Sequence, residues 1–228
     1  MKKRENALSK QFIEPMKTKT FEKLPEQKQI EILDAAAGIF ANKGYYQAGI
    51  NEICQATGIS NGALYKYFEN KKGLFKTVAR RTLDLILNEF RQYEQKDGSI
   101  WETLQQVLDM VLPFTTMYRD YFVVFMDLGS PSMDVFSSEL SDDFEKQTFE
   151  FYARLIMNAK EDGEIRINIS TETAAYFIDN HLTLLAYSCV SQHYNRRFHQ
   201  YFPSSKFPLG VEGKIDLIMR SFRELLMA

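Results

Sequence analysis

The chain has 228 residues, 45% of them apolar, which is enough for one or two domains with a proper core and too many for disorder to be the default. Its net charge of −2 conceals a division: residues 1–81 carry 15 Lys and Arg against 8 Asp and Glu, and the remainder carries 13 against 22. A basic first third ahead of an acidic remainder points to one region that faces a polyanion, while six prolines and eleven glycines are too few for a sheet protein rich in turns.

Residues 1–24 are polar and basic, with seven Lys or Arg and three acids, and show no helical periodicity. They read as a flexible arm, either a solvated tail or a strand that follows the DNA backbone or enters a minor groove. From Pro25, Ile30, Leu33, Ala37 and Phe40 give one apolar helical face, and Gly44 ends that helix. Two short helices follow over 50–57 and 61–68, separated by Gly58-Ile59-Ser60, and a long helix spans about 71–93. Asp97-Gly98 breaks the pattern, and Ser99-Ile100-Trp101-Glu102 restarts it with a capping box. Pro113 is expected to kink or divide the next helix, and Gly129-Ser130-Pro131 forms a firm break. Further helices are expected over 142–159, over 171–198 with Ser170 as cap, and over 214–227 after a loop at 201–213. The expected fold is all-α with about nine helices: an arm (1–24), a three-helix helix-turn-helix domain (25–73) and a larger helical domain (74–228).

The stretch from Gly44 to Leu74 carries the chemistry. Gly58 permits the left-handed backbone of a sharp inter-helix turn. Ser60 is placed as an N-cap, flanked by Ile59 and Leu64 as a hydrophobic staple, and Leu64 and Phe68 anchor the second short helix. That leaves Asn61, Gly62, Ala63, Lys66 and Tyr67 exposed, a small polar face suited to a major groove. An asparagine can pair with an adenine edge, worth roughly 1–3 kcal/mol of discrimination. Tyr65 and Tyr67 offer hydroxyls to phosphates, and Lys71-Lys72 opens the next helix where a cation and free N–H groups can hold one.

Gly44-Tyr45, Ile50-Asn51-Glu52-Ile53, the run from Gly58 to Phe68, and Lys71-Lys72-Gly73-Leu74 together resemble the DNA-binding signature of the tetracycline-repressor (TetR) family, in order and at family spacing over about residues 28–80. The resemblance implies a homodimer that places the helix beginning at Asn61 in successive major grooves of double-stranded operator DNA. It implies base contacts from the start of that helix and phosphate contacts from Tyr65, Tyr67 and Lys71, and the candidate DNA-binding residues are Asn51, Ser60, Asn61, Gly62, Ala63, Tyr65, Lys66, Tyr67 and Lys71. Two positions depart from the family pattern: Gly49 stands where a hydroxyl residue usually caps the first short helix, and Tyr67 where histidine is common. Past residue 90 only the helical layout is similar.

In the second domain Phe114, Tyr118, Tyr121, Phe122 and Phe125 form an aromatic stripe at helical spacing, which is either core or the wall of a pocket. With Trp101, Phe149, Tyr152, Tyr176, Asn180 and His181 they make the candidate site for a small hydrophobic or aromatic effector. The helix over 171–198 is apolar on more than one face, so Leu182, Ala186 and Val190, with Ile218, Met219, Phe222 and Leu226 of the last helix, are the candidate dimer interface.

No cofactor is expected. The histidines His181, His193 and His199 show no metal-ligand spacing, and neither a phosphate loop nor a nucleophile motif occurs, so the reading is not an enzyme. Cys54 and Cys189 lie far apart among apolar neighbours and read as reduced core residues. No run approaches the ~18 apolar residues of a membrane span. The expectation is a cytoplasmic, ligand-responsive repressor; the alternative is a DNA-binding regulator with no effector.

Overall fold

The computed structural model describes residues 17–93, 98–203 and 210–227. These are all-α, eleven helices and one 3-10 turn, with no strand among the described residues. They form two compact units that divide between Arg81 and Thr82.

The first unit holds α1 (Lys19–Glu22), α2 (Glu26–Gln47), α3 (Ile50–Thr57), α4 (Asn61–Phe68) and the start of α5 (Lys71–Arg91). Ile32, Leu33, Ala36, Ala37 and Phe40 bury one face of α2. Gly44 interrupts that helix at φ 69, ψ 166, a conformation glycine adopts without a Cβ clash, and one more turn carries it to Gln47. The domain boundary drawn at 73/74 falls in the first turn of α5.

The arm needs correction at its C-terminal end. Residues 1–16 lie outside the described residues, but residues 17–24 are docked rather than free. Thr18 caps α1, its backbone N–H donates to Tyr67 O at 2.9 Å, and its hydroxyl donates to Lys66 O at 2.8 Å. Those carbonyls belong to the last turn of α4, where no intrahelical donor reaches them. Phe21 is 1% exposed and packs its ring 4.6 Å from that of Phe68. One aromatic in a polar stretch makes no periodicity, yet it is enough to seat a single turn.

The second unit contains α6 (Ile100–Met117), α7 (Arg119–Leu128), a 3-10 turn (Pro131–Met133), α8 (Asp134–Glu161), α9 (Thr171–Val190), α10 (Gln192–Tyr201) and α11 (Val211–Leu226). The capping box forms as expected: Ser99 Oγ accepts from Glu102 N and Glu102 Oε2 accepts from Ser99 N. Pro113 lies on the exposed side of a continuous α6, where the carbonyl it leaves unpaired can reach water, and the break comes instead at Tyr118.

Helix α8 starts eight residues earlier than 142 because Phe136, Leu140 and Phe144 extend its buried stripe. The helix expected over 171–198 is divided at Ser191, whose backbone is extended (φ −112, ψ 121). Its second piece, α10, is tied by Lys214: the ammonium donates to Ser188 Oγ at 3.0 Å and Asn195 Oδ1 at 2.8 Å, and lies 5.2 Å from the Phe198 ring centroid. Of the expected loop at 201–213, residues 204–209 lie outside the described residues, and Val211 already begins the last helix. Helix α9 is the centre of this unit and packs against α6, α8, α10 and α11. That explains why its apolar residues are not confined to one face.

Candidate DNA-reading surface and internal cavity

Gly58 closes α3 in the left-handed region (φ 66, ψ 21), and its N–H donates to Cys54 O. Two residues on, Ser60 Oγ accepts from Ala63 N at 3.2 Å and starts α4. Leu64 and Phe68 are fully buried, so the opposite side of α4 is turned outward. Asn61, Gly62, Tyr65 and Lys66 are exposed, Ala63 and Tyr67 half-buried. Asn61 Nδ2 donates to Asn51 Oδ1 at 2.7 Å, which joins the exposed amides of α3 and α4. Gly49 caps α3 without a side-chain bond. The structure thus brings the exposed amides of α3 and α4 together on a helix backed by Leu64 and Phe68, with Phe21 against the latter.

Lys71 departs from its expected role. Its ammonium donates to Ala48 O at 2.9 Å and Tyr46 O at 3.3 Å, and lies 4.7 Å from the Tyr45 ring centroid. Burial among these groups lowers its pKa. It braces the corner between α2 and α3, because carbonyls there lack helical donors. The N-cap of α5 is instead Asn70, whose Oδ1 accepts from Gly73 N at 2.8 Å.

The second unit holds a pocket of about 410 Å³, partly open to solvent and within the range of small-molecule sites. Phe114, Phe122 and Phe125 of α6 and α7 line it, joined by Phe144 of α8 and Tyr187 of α9. The rings run in contact: Phe122 lies 5.7 Å from Phe125 and 5.9 Å from Tyr187, and Phe125 lies 5.7 Å from Phe144. The polar lining comes from Thr115 on α6, from Asp134, Ser137, Ser141, Glu145 and Thr148 on α8, and from Asp179, Asn180 and Thr183 on α9. Burial, and secondarily the Glu145 carboxylate, raises the Asp179 pKa to about 6. Tyr187 is pushed up to about 12, chiefly by burial.

A profile described as bacterial regulatory proteins, tetR family, matches residues 32–78, from the middle of α2 to α5. Residues 32–78 thus carry the TetR-family DNA-binding segment. The HTH-type transcriptional repressor KstR2 of Rhodococcus jostii is 24% identical over 155 residues, spanning 66% of this chain and 74% of the relative. The fatty acid degradation regulator FadR of Bacillus halodurans shares the fold with a TM-score of 0.66 at 17% identity, over 88% of this chain and 96% of that one. FadR of Bacillus subtilis, solved in complex with stearoyl-CoA, gives 0.64 at 16% identity, over 86% and 96%. The protein is a DNA-binding transcription regulator with a helix-turn-helix of TetR type.

Several of this regulator's residues sit elsewhere than expected. Of the candidate pocket residues, Phe114, Phe122, Phe125 and Asn180 line the cavity. Trp101 lies under the Arg223 guanidinium, Tyr118 against Phe114, and His181 between Phe177 and Phe222 with Nδ1 2.7 Å from Phe177 O. Tyr121 and Tyr152 are buried, whereas Phe149 and Tyr176 are exposed. The dimer candidates also need correction. Leu182, Ala186, Ile218, Met219, Phe222 and Leu226 are buried in the chain's own core, with Val190 packed against it. The exposed apolar residues of the same two helices are Tyr176, Leu184 and Leu225.

The reading of the sequence missed Asp179, Glu145 and Thr148. Asp179 had a weak signal: with Asn180 and His181 it stands between Phe177-Ile178 and Leu182 in an otherwise largely apolar helix. Glu145 and Thr148 look like any solvated helix positions. Among the described residues, no helix is long and apolar enough to cross a membrane.

Proposed function

We propose that this regulator is a homodimeric repressor, released from a two-fold operator by a small, predominantly apolar effector held in the cavity of the second unit. The carrying observation is the outward face of α4, where Asn61, Gly62 and Ala63 stand on a helix pinned by Leu64 and Phe68. Small residues at that end let the backbone approach base edges, and Asn61 supplies the directional hydrogen bonds. Its present bond to Asn51 holds the amide in place and would be exchanged for a base. Tyr65, Lys66 and Tyr67 serve phosphates in this reading, with Lys71 setting the angle between α2 and α3 behind them.

Repression is supported by the name of the Rhodococcus jostii relative, and an effector by the stearoyl-CoA complex of a protein with this fold. Two copies would present two reading helices to grooves about 34 Å apart. Exposed Leu184 and Leu225, rather than the buried residues of α9 and α11, would contribute to the joint. The effector would act by preferring the dimer whose reading helices are mis-spaced. The role is non-enzymatic and places the protein in the cytoplasm, where operator DNA is.

Selection of bound fragments from random DNA tests this reading, and should return a sequence with two-fold symmetry. Asn61→Ala should then relax preference at one base pair in each half-site, by about 1–3 kcal/mol. Lys66→Ala should weaken binding to every sequence alike and lower the salt slope by about 1. An asymmetric site, or equal losses on all sequences from both variants, would contradict the assignment.

A further inference from the structure

The cavity has an unbalanced chemistry. Three carboxylates, Asp134, Glu145 and Asp179, are among its lining residues, and no Lys, Arg or His is among them. Neither Asp179 nor Glu145 has an ion-pair or hydrogen-bond partner among the described residues, although Asp179 is half-buried. One turn along α8 from Glu145, Thr148 also lines the cavity, is 4% exposed, and leaves Oγ1 without a hydrogen-bond partner. A further turn along the same helix, the Tyr152 hydroxyl is buried, unpartnered and close enough to feel the Asp179 charge. Buried polar atoms are normally satisfied, and a carboxylate withdrawn from water without a counter-charge is costly. Two helices thus bring the half-buried Asp179, the more exposed Glu145 and the unpartnered Thr148 hydroxyl to one space walled by aromatic rings.

An acyl carboxylate or a phosphate would meet like charge here. A cation would meet opposite charge, and ring faces that attract it as well. We propose that the cavity binds a lipophilic organic cation, an ammonium on an apolar body, with its charge facing Asp179 and Glu145 and its body against Phe114, Phe122 and Phe125. This rests on the reading of the second unit as the effector-binding one and names the chemical class it takes. Thr148 Oγ1 accepts from the ammonium N–H, and the apolar body displaces water from the ring wall.

The test uses three ligands of one chain length, decylammonium, decanol and decanoate, titrated calorimetrically into the full chain at pH 7.5. Decylammonium should bind about tenfold or more tighter than either of the others, a difference of about 1.4 kcal/mol. The double variant Asp179→Asn, Glu145→Gln should bring decylammonium to the affinity of decanol and leave decanol unchanged, which also reports that the variant is folded. Decanol or decanoate binding as tightly as the cation overturns the charge class while the apolar-effector reading stands. A preference that survives in the double variant overturns the assigned carboxylates. If none of the three binds, the proposal and the effector reading both fall, and binding of duplex DNA by the same preparation shows that the reading head is unaffected.

Discussion

The two units of this regulator earn their chemistry differently. In the first, the candidate surface is one short helix, started by Gly58 and Ser60 and anchored by Leu64 and Phe68, with Thr18 and Phe21 of the preceding turn docked on its far end. In the second, the cavity is assembled from side chains on five helices, α5 to α9, between Ile86 and Tyr187. A local device tolerates little change at its few anchors, whereas a distributed one can alter its lining residue by residue. The first unit should therefore be fragile at its anchors and conserved in what it does, and the second stable but readily retuned.

The largest expected effect lies at the anchor. Phe68 is fully buried, so Phe68→Ala should cost about 3–5 kcal/mol in urea denaturation followed by circular dichroism, with duplex binding lost. A loss below about 1 kcal/mol would mean that α4 is held by something other than its buried face.

Next comes a substitution that should stabilise. Asp179 has a folded-state pKa of about 6, above the value of about 3.9 for an unperturbed aspartate. The native state thus holds this proton more tightly than the unfolded chain, and stability is lost as pH rises from about 4 to about 6. Asp179→Asn removes that penalty. The ligand-free variant should be about 1–3 kcal/mol more stable than the parent at pH 7.5, with the gain fading below about pH 4. A variant less stable at neutral pH would show that the carboxylate has a partner in the native state.

The smallest effect compares one device in both units. Ser60 and Ser99 each cap a helix through a backbone N–H three residues on, so replacing either with alanine should cost about 1 kcal/mol. Only Ser60→Ala should also weaken DNA binding. Equal effects of the two on DNA affinity would remove the special role of α4.

Much of this architecture is legible in the sequence, wherever the signal acts over a few residues. The turn at Gly58, the cap at Ser60, the box at Ser99 and Glu102, and the cap at Ser170 are all found where the residue types place them. What is not legible depends on partners far along the chain. Phe21 finds Phe68 and Thr18 finds Lys66 across more than forty residues, and Lys71 reaches back to Ala48. No pattern in residues 17–24 announces a docking site. An aromatic stripe likewise marks a helix face as apolar without saying whether empty space or another side chain lies opposite. Phe122 meets the cavity, and Tyr121 beside it meets core. Buried Phe222 and Leu226 show the same ambiguity between a subunit's core and its joint. Asp179, which the sequence reading passed over, is the one lining carboxylate that stands between apolar neighbours on its helix.

The central claim is that α4 places a small polar face in a DNA groove, and equilibrium binding of the full chain to its selected duplex, measured by fluorescence anisotropy over a salt series, tests it most directly. The account predicts that log K falls linearly with log salt, steeply enough to reflect several phosphate contacts, and that a scrambled duplex binds at least about a thousandfold more weakly. No binding to duplex DNA of any sequence at low salt would contradict it.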